Sequence, residues 1–280
     1  MARKHVMQLF PWLMPVRRRE RLFFFDLGMR LDGNRYTVTR SGELLPHRLF
    51  ETSCPLYNRE TGFDMIYQEN KVFNLKLAAV TLDRLLIRPG ETFSFWRTTQ
   101  YADRVTPYRD GLTVLYGKLT TAPGGGLCQL SDLLFWMFLH SPLTIVERHG
   151  HRVKDFPDPP SDAPAGVDAT VSEGWLDLKV RNETDETFQI SIAFDPDCIT
   201  GRLLTGGDTG VSYEIVSGQP FYSRRGGKVF EEVDVRRNVI SASSGRNISS
   251  ALLYKNTCEI GYQLPAGTQI AEKGSEERVS

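Results

Sequence analysis

A chain of 280 residues, 40% hydrophobic and 24% charged, has the composition of a soluble globular protein and is long enough to bury its own core without cross-links. Its 34 Lys and Arg balance 34 Asp and Glu, so the total charge carries no footprint for nucleic acid, and none is expected as a partner. Four scattered cysteines, Cys54, Cys128, Cys198 and Cys258, form no CxxC and no short ligand spacing, which argues against a disulfide framework.

The balance hides a basic N-terminus: residues 1–40 hold nine Arg or Lys against three Asp or Glu. In "MARKHVMQLFPWLMPVRRRERLFFFDLGMR" the apolar runs are broken by Pro11, Pro15 and Arg17 to Arg19. None approaches the roughly 20 apolar residues of a bilayer span, and no small-residue cleavage site follows. Residues 1–48 are therefore expected as a basic segment packed with its charged face in water, in a cytoplasmic protein. A second reading rests residues 9–25 on an anionic membrane surface. Arg17, Arg18, Arg19 and Arg21 would then meet headgroups, with Phe10, Trp12 and Phe23 to Phe25 nearby.

An α+β core is expected over residues 49–198. Val72, Leu75, Ala79, Leu82 and Leu86 recur at helical spacing and predict a helix over 71–87. "RPGETFSFW" stops it and starts an extended segment, and "YRDGLTVLYGKL" reads as a strand. A second helix is predicted over 127–140, ended by Ser141-Pro142. Strands follow in "LTIVERHGHRV", "GVDATVS", "GWLDLKVRN" and "TFQISIAF". Short turns without intervening helices argue for antiparallel pairing, so the Cys128 helix should pack on a mainly antiparallel sheet built from the strands after residue 143. Residues 199–265 read as a β-rich C-terminal module, and 266–280 as a polar tail.

"PGGGLCQLSDLLFW" sets Cys128 at the start of the second helix, where unpaired N–H groups favour thiolate over thiol. Cys128 shares a helical face with Ser131, Asp132 and Phe135. Gly124, Gly125 and Gly126 leave room for a substrate carbonyl, which the Cys128 N–H would polarise, and Gln129 can hold a neighbouring amide. On a strand, Glu147, His149 and His151 would line one side, and Asp168 would point away from Val167 and Ala169. The catalytic candidates are thus Cys128 as nucleophile, His151 as base and Asp168 as its orienting carboxylate. Gly124, Gly125, Gly126, Gln129 and His149 are the substrate-binding candidates. No cofactor or metal is expected. Three other readings compete: a structural cysteine, zinc held by Cys128, His149, His151 and Asp168, and a phosphate cradled by the glycine turn, which lacks a P-loop's Gly-Lys-Ser/Thr ending.

"NKVFNLKLAAVTLDRLLIRPGETFSFW", "GGGLCQLSDLLFW", "LTIVERHGHRVKDFP" and "GVDATVSEGWLDLKVRN" together resemble the VanW family, over at least residues 50–195. The family's GGG-x-CQ-x-S element falls on Gly124, Gly125, Gly126, Cys128 and Gln129, and its downstream His and Asp fall on His151 and Asp168. The resemblance implies an accessory protein of glycopeptide (vancomycin) resistance. Such proteins accompany the genes that replace D-Ala-D-Ala peptidoglycan termini with D-Ala-D-lactate. A peptidoglycan precursor or other resistance proteins are the partners it implies. Some members carry a membrane anchor and extracytoplasmic domains; neither is seen here, consistent with the cytoplasmic expectation. Two functions follow. One is a Cys-His-Asp amide or ester hydrolase or acyl transferase acting on cell-wall peptide. The other is a non-catalytic protein that binds the precursor or a resistance enzyme.

Overall fold

A computed structural model describes residues 14–59, 62–115, 118–154 and 162–272. The N-terminal segment begins with helix α1 (Met14–Leu31), anchored by the buried Met29. Phe10 and Trp12 lie outside the described residues. Strands β1 (Arg35–Tyr36) and β2 (His47–Pro55) come next, and β2 starts within the basic segment assigned to residues 1–48. Among the described residues no helix is long and apolar enough to cross a membrane.

Helix α2 (Ile66–Leu82) buries Val72, Leu75, Ala79 and Leu82, the face its apolar period marks. It ends five residues before the predicted stop. The Arg84 N–H donates to the Ile190 carbonyl at 2.8 Å, and Asp83 accepts the Ile192 N–H at 2.8 Å. A sheet partner thus takes the Arg84 N–H that would continue the helix. Arg84 adopts φ 64°, and Leu86–Ile87 leave as β3.

β3 joins a four-stranded antiparallel sheet, in the order β2, β11 (Cys198–Thr205), β10 (Phe188–Phe194), β3. The Cys128 helix, α4 (Cys128–Leu139), packs on its β2 and β11. Phe50 of β2 stacks on His140 at 3.6 Å between ring centroids and meets Trp136 edge-on at 5.8 Å. The fold is α+β with the helix on an antiparallel sheet, but two strands of that sheet, β2 and β3, precede residue 143. β2 is an edge strand whose side chains are mostly exposed, so its sequence lacks the alternation of a half-buried strand.

A second sheet, ordered β1, β4 (Glu91–Ser94), β9 (Lys179–Arg181), β7 (Thr144–Glu147), covers another side of α4, with Phe93 against Phe138 at 5.1 Å. Enclosure from two sides explains why "LLFWMFL" is apolar without interruption. Short α3 (Phe95–Thr99) continues from β4, capped by Ser94. β5 (Asp110–Leu115) and β6 (Lys118–Pro123) form a hairpin leading into the glycine turn.

The C-terminal sheet contains β12 (Val211–Ser217), β13 (Phe221–Arg225), β14 (Lys228–Ser241), β15 (Asn247–Ile260) and β16 (Ile270–Glu272). β12 and β13 share one edge of β14 and β15 takes the other. β8 (Val153–Lys154) runs parallel against the end of β15, binding the core to this sheet just after His151. β11, which begins at Cys198, pairs with β2 and β10 in the core sheet, and the C-terminal sheet starts at β12. The expected tail contributes β16 through Glu272; residues 273–280 lie outside the described residues.

Candidate active site

Helix α4 opens without a side-chain cap, its first turn closed by Gln129 N–H to Gly126 O at 3.1 Å and Leu130 N–H to Leu127 O at 3.0 Å. The glycine turn before it has internal reasons for its composition. Gly124 and Gly126 take φ of 78° and 94°, the left-handed region that favours glycine. Gly125 lies backbone to backbone against Gly111 of β5, where any Cβ would overlap the Gly111 carbonyl, and Lys71 packs on Gly126. The close approach these residues permit is thus made by the chain's own backbone and by Lys71.

Residues 166–171, expected as a strand, instead form an irregular strap across the polar face of α4. The Ser131 hydroxyl donates to the Ala169 carbonyl at 2.5 Å, and Asp132 accepts the Ala169 N–H at 2.6 Å. This fixes Asp168 and Thr170 at the start of the helix. The Cys128 sulfur is 3.5 Å from Thr170 Oγ1 and 3.7 Å from the Val171 carbonyl.

β7 ends at Glu147, so the alternation predicted through His151 breaks down: Glu147 and His149 pair with each other, while His151 turns to Asp168. Asp168 Oδ2 accepts both the His151 backbone N–H at 2.7 Å and Nδ1 at 2.8 Å. With Nδ1 so held, the Nε2 side of the ring is left for the thiol, and Cys128 is among the groups that raise His151. The predicted Cys128, His151 and Asp168 come together as one connected set.

A residue the sequence reading passed over completes it. Arg148 pairs through Nη2 with Asp168 Oδ1 and donates from Nε to the Asp168 carbonyl at 2.7 Å. Its guanidinium also donates to Asn256 Oδ1 at 2.9 Å and lies 4.4 Å from the Tyr254 ring centroid. Gly150 makes this crowding feasible, since a Cβ there would stand 2.6 Å from Asn256 Oδ1. An Arg beside two histidines reads as a solvated charge, and Asn256 and Tyr254 lie about a hundred residues away on β15. No local pattern signals that contact.

The electrostatics favour a charged imidazole. Burial opposes it, but the hydrogen bonds to Asp168 and Cys128 and the charge of Asp132 prevail, pushing His151 up to about 11. Burial also works against ionised Asp168, yet its bonds to His151 and the Arg148 charge hold it below the usual carboxylate range. Asp132 lies beneath them. Burial pushes it up to about 7, with the Asp168 charge acting the same way, against the pull of His151, the Ala169 N–H and Arg148. Asp132 shares the Cys128 helical face, and that spacing was its one sequence signal.

Two substrate-binding candidates are engaged elsewhere. The Gln129 amide donates to the Pro55 carbonyl at 2.7 Å and reaches the Cys54 sulfur at 3.4 Å. His149 bonds Glu147 at 3.0 Å, beside a Glu147–Lys179 ion pair at 2.9 Å. All four cysteines are free; burial raises the Cys54 thiol and pushes Cys258 up to about 12. Among the described residues no three His, Cys, Asp or Glu are arranged to hold a metal ion, since His149 points to Glu147 and Asp168 is committed to His151 and Arg148.

The family model described as VanW like protein matches residues 70–204, a span with the whole Cys128, His151 and Asp168 set but not Tyr254 or Asn256. Over 272 residues, 97% of this chain and 99% of the relative, the sequence is 54% identical to the vancomycin B-type resistance protein VanW of Enterococcus faecalis. It is 32% identical over 122 residues to the uncharacterized protein YoaR of Bacillus subtilis, covering 44% of this chain and 39% of that one. No solved structure matches.

Proposed function

The chain belongs to the VanW family, and from that premise we propose that it is an accessory protein of vancomycin resistance acting as a Cys-His-Asp thiol acyl transferase or hydrolase on peptidoglycan precursor peptides. The family supports the resistance context, through the relative named for it. The observation that supports the chemistry is an imidazole held through Nδ1 by Asp168 at 2.8 Å, with Cys128 among the groups that raise it and Thr170 of the same strap 3.5 Å from the Cys128 sulfur.

In the proposed reaction the proton of the Cys128 thiol already rests on His151, and the Cys128 sulfur attacks a peptide or ester carbonyl carbon beside the imidazolium. A C–S bond forms, and the oxyanion is stabilised at the helix start by the Cys128 N–H and the Thr170 hydroxyl. Collapse breaks the C–N or C–O bond, and His151 returns its proton to the departing amine or alcohol. A water or an acceptor amine, deprotonated by His151, then attacks the thioester and restores Cys128. Asp168 holds the tautomer with Nδ1–H toward itself and balances the imidazolium. The engaged Gln129 amide is better suited to holding α4 against β2 than to gripping substrate.

The test is incubation with precursor peptides ending in D-Ala-D-Ala or D-Ala-D-lactate, followed by intact-protein mass spectrometry and assay of the released terminus. A thioester adduct on Cys128 with release of D-alanine or D-lactate, both absent in Cys128→Ala, supports the reading. No adduct and no release, with Cys128→Ala retaining full resistance in cells, would leave the non-catalytic binding protein.

A further inference from the structure

Helix α1 has two unlike sides. One is fixed to the turn at residues 172–176: Arg18 donates two hydrogen bonds to Glu173 at 2.7 and 2.8 Å, Leu22 lies against Gly174, and Met29 is buried. At about 100° per residue, the opposite side carries Val16, Phe23, Phe24, Leu27 and Leu31. All five are exposed, Phe23 by 63%, Phe24 by 60% and Leu31 by 76%. The same projection sets Arg19 and Arg30 along one margin of this stripe and Arg17 and Arg21 along the other. Glu20, within the stripe, is ion-paired to Arg17 at 3.4 Å.

We propose that this outward face of α1 lies on the surface of an anionic phospholipid bilayer. An exposed apolar stripe with guanidinium groups on both margins matches an interface that is apolar within and negative at the headgroups. A second copy of the chain fits less well, because face-to-face packing would bring the arginine margins together. The turn gripped by α1 follows directly on Thr170 and Val171, whose oxygens flank the Cys128 sulfur, so the contact would hold the candidate site near the headgroups. The inference concerns the surface alone and does not depend on the chemistry of Cys128.

The experiment is co-sedimentation of the full chain with vesicles of phosphatidylglycerol and phosphatidylcholine in equal parts, and with phosphatidylcholine alone, at low and high salt. Binding is expected to the anionic vesicles and to weaken with salt. Arg19→Gln and Arg30→Gln should each lower partitioning about fivefold, and Phe23→Ser with Phe24→Ser should lower it at least as far. Circular dichroism of each variant checks that these exposed changes leave the fold intact, and Cys128→Ala should bind as the wild type does. Equal pelleting by all variants, absence of pelleting with anionic vesicles, or a concentration-dependent dimer abolished by Phe23→Ser would each overturn the proposal.

Discussion

Asp168 joins three groups: it accepts the backbone and ring N–H of His151 on one oxygen, and its other oxygen faces Arg148. Asp168→Asn keeps the shape but leaves Arg148 buried without its counter-charge, and it can present an N–H to His151. We expect a loss of about 3 kcal/mol in denaturant unfolding, since one partner of a buried ion pair is removed. Any acyl-transfer activity should fall by at least about 10³-fold, with the imidazole in the wrong tautomer. Two neighbours should each lose stabilising effect as pH rises, over different windows. His151 is raised from 6.5 to about 11, so its stabilising contribution is complete below about 6.5 and is lost as pH rises toward 11. The stability gap between wild type and His151→Gln should close over that window. Asp132 is held up to about 7, so its acid form suits the fold, and ionising it as pH rises from about 4 to 7 costs stability. Asp132→Asn avoids that cost and can still accept the Ala169 N–H, so relative to wild type it should gain stability over the same range. Unfolding curves at several pH values read both trends.

At the level of elements, α4 and the 166–171 strap position the site, and glycines set how closely other segments approach it. Gly125→Ala would push the β5–β6 hairpin from the start of α4, because the conflict is backbone against backbone. Gly150→Ala meets Asn256 and Arg148 side-chain atoms, which are freer to move. Overpacking costs about 1–3 kcal/mol. We expect Gly125→Ala at or above the top of that range and Gly150→Ala lower in it, with a disproportionate loss of Cys128 reactivity in the latter. Thermal unfolding together with thiol labelling separates the two. The sequence disclosed α4 to within a residue at each end, because a long apolar run between glycines and Ser-Pro has few other outcomes. It disclosed Cys128, His151 and Asp168 by residue type and order. The two histidines do not share a strand face: β7 stops at Glu147, and a loop, not a pleat, delivers His151 to Asp168.

Across the whole molecule, the C-terminal sheet supports the site from outside the family-model match. Tyr254 and Asn256 of β15 hold Arg148, and Arg148 holds Asp168. Such a chain of contacts across about a hundred residues leaves no periodicity or motif, so sequence reasoning could find the catalytic candidates but not their buttress. It missed the core's dependence on β2 for the same reason, since an exposed edge strand shows no alternation. Asn256→Ala is a test at this scale. It touches neither Cys128 nor His151, and should slow chemistry at Cys128 severalfold while lowering stability by about 1–2 kcal/mol.

The most direct measurement is the rate of Cys128 alkylation by iodoacetamide at neutral pH, followed site by site by mass spectrometry, in wild type, His151→Gln and Asp168→Asn. Cys54 and Cys258, both raised by burial, serve as internal references. We expect Cys128 to react well ahead of both in wild type, and its rate to drop about tenfold or more in His151→Gln, with a smaller drop in Asp168→Asn. A Cys128 rate unchanged by His151→Gln, or no faster than the buried reference thiols, would contradict the pairing of thiol and imidazole on which the proposed chemistry rests.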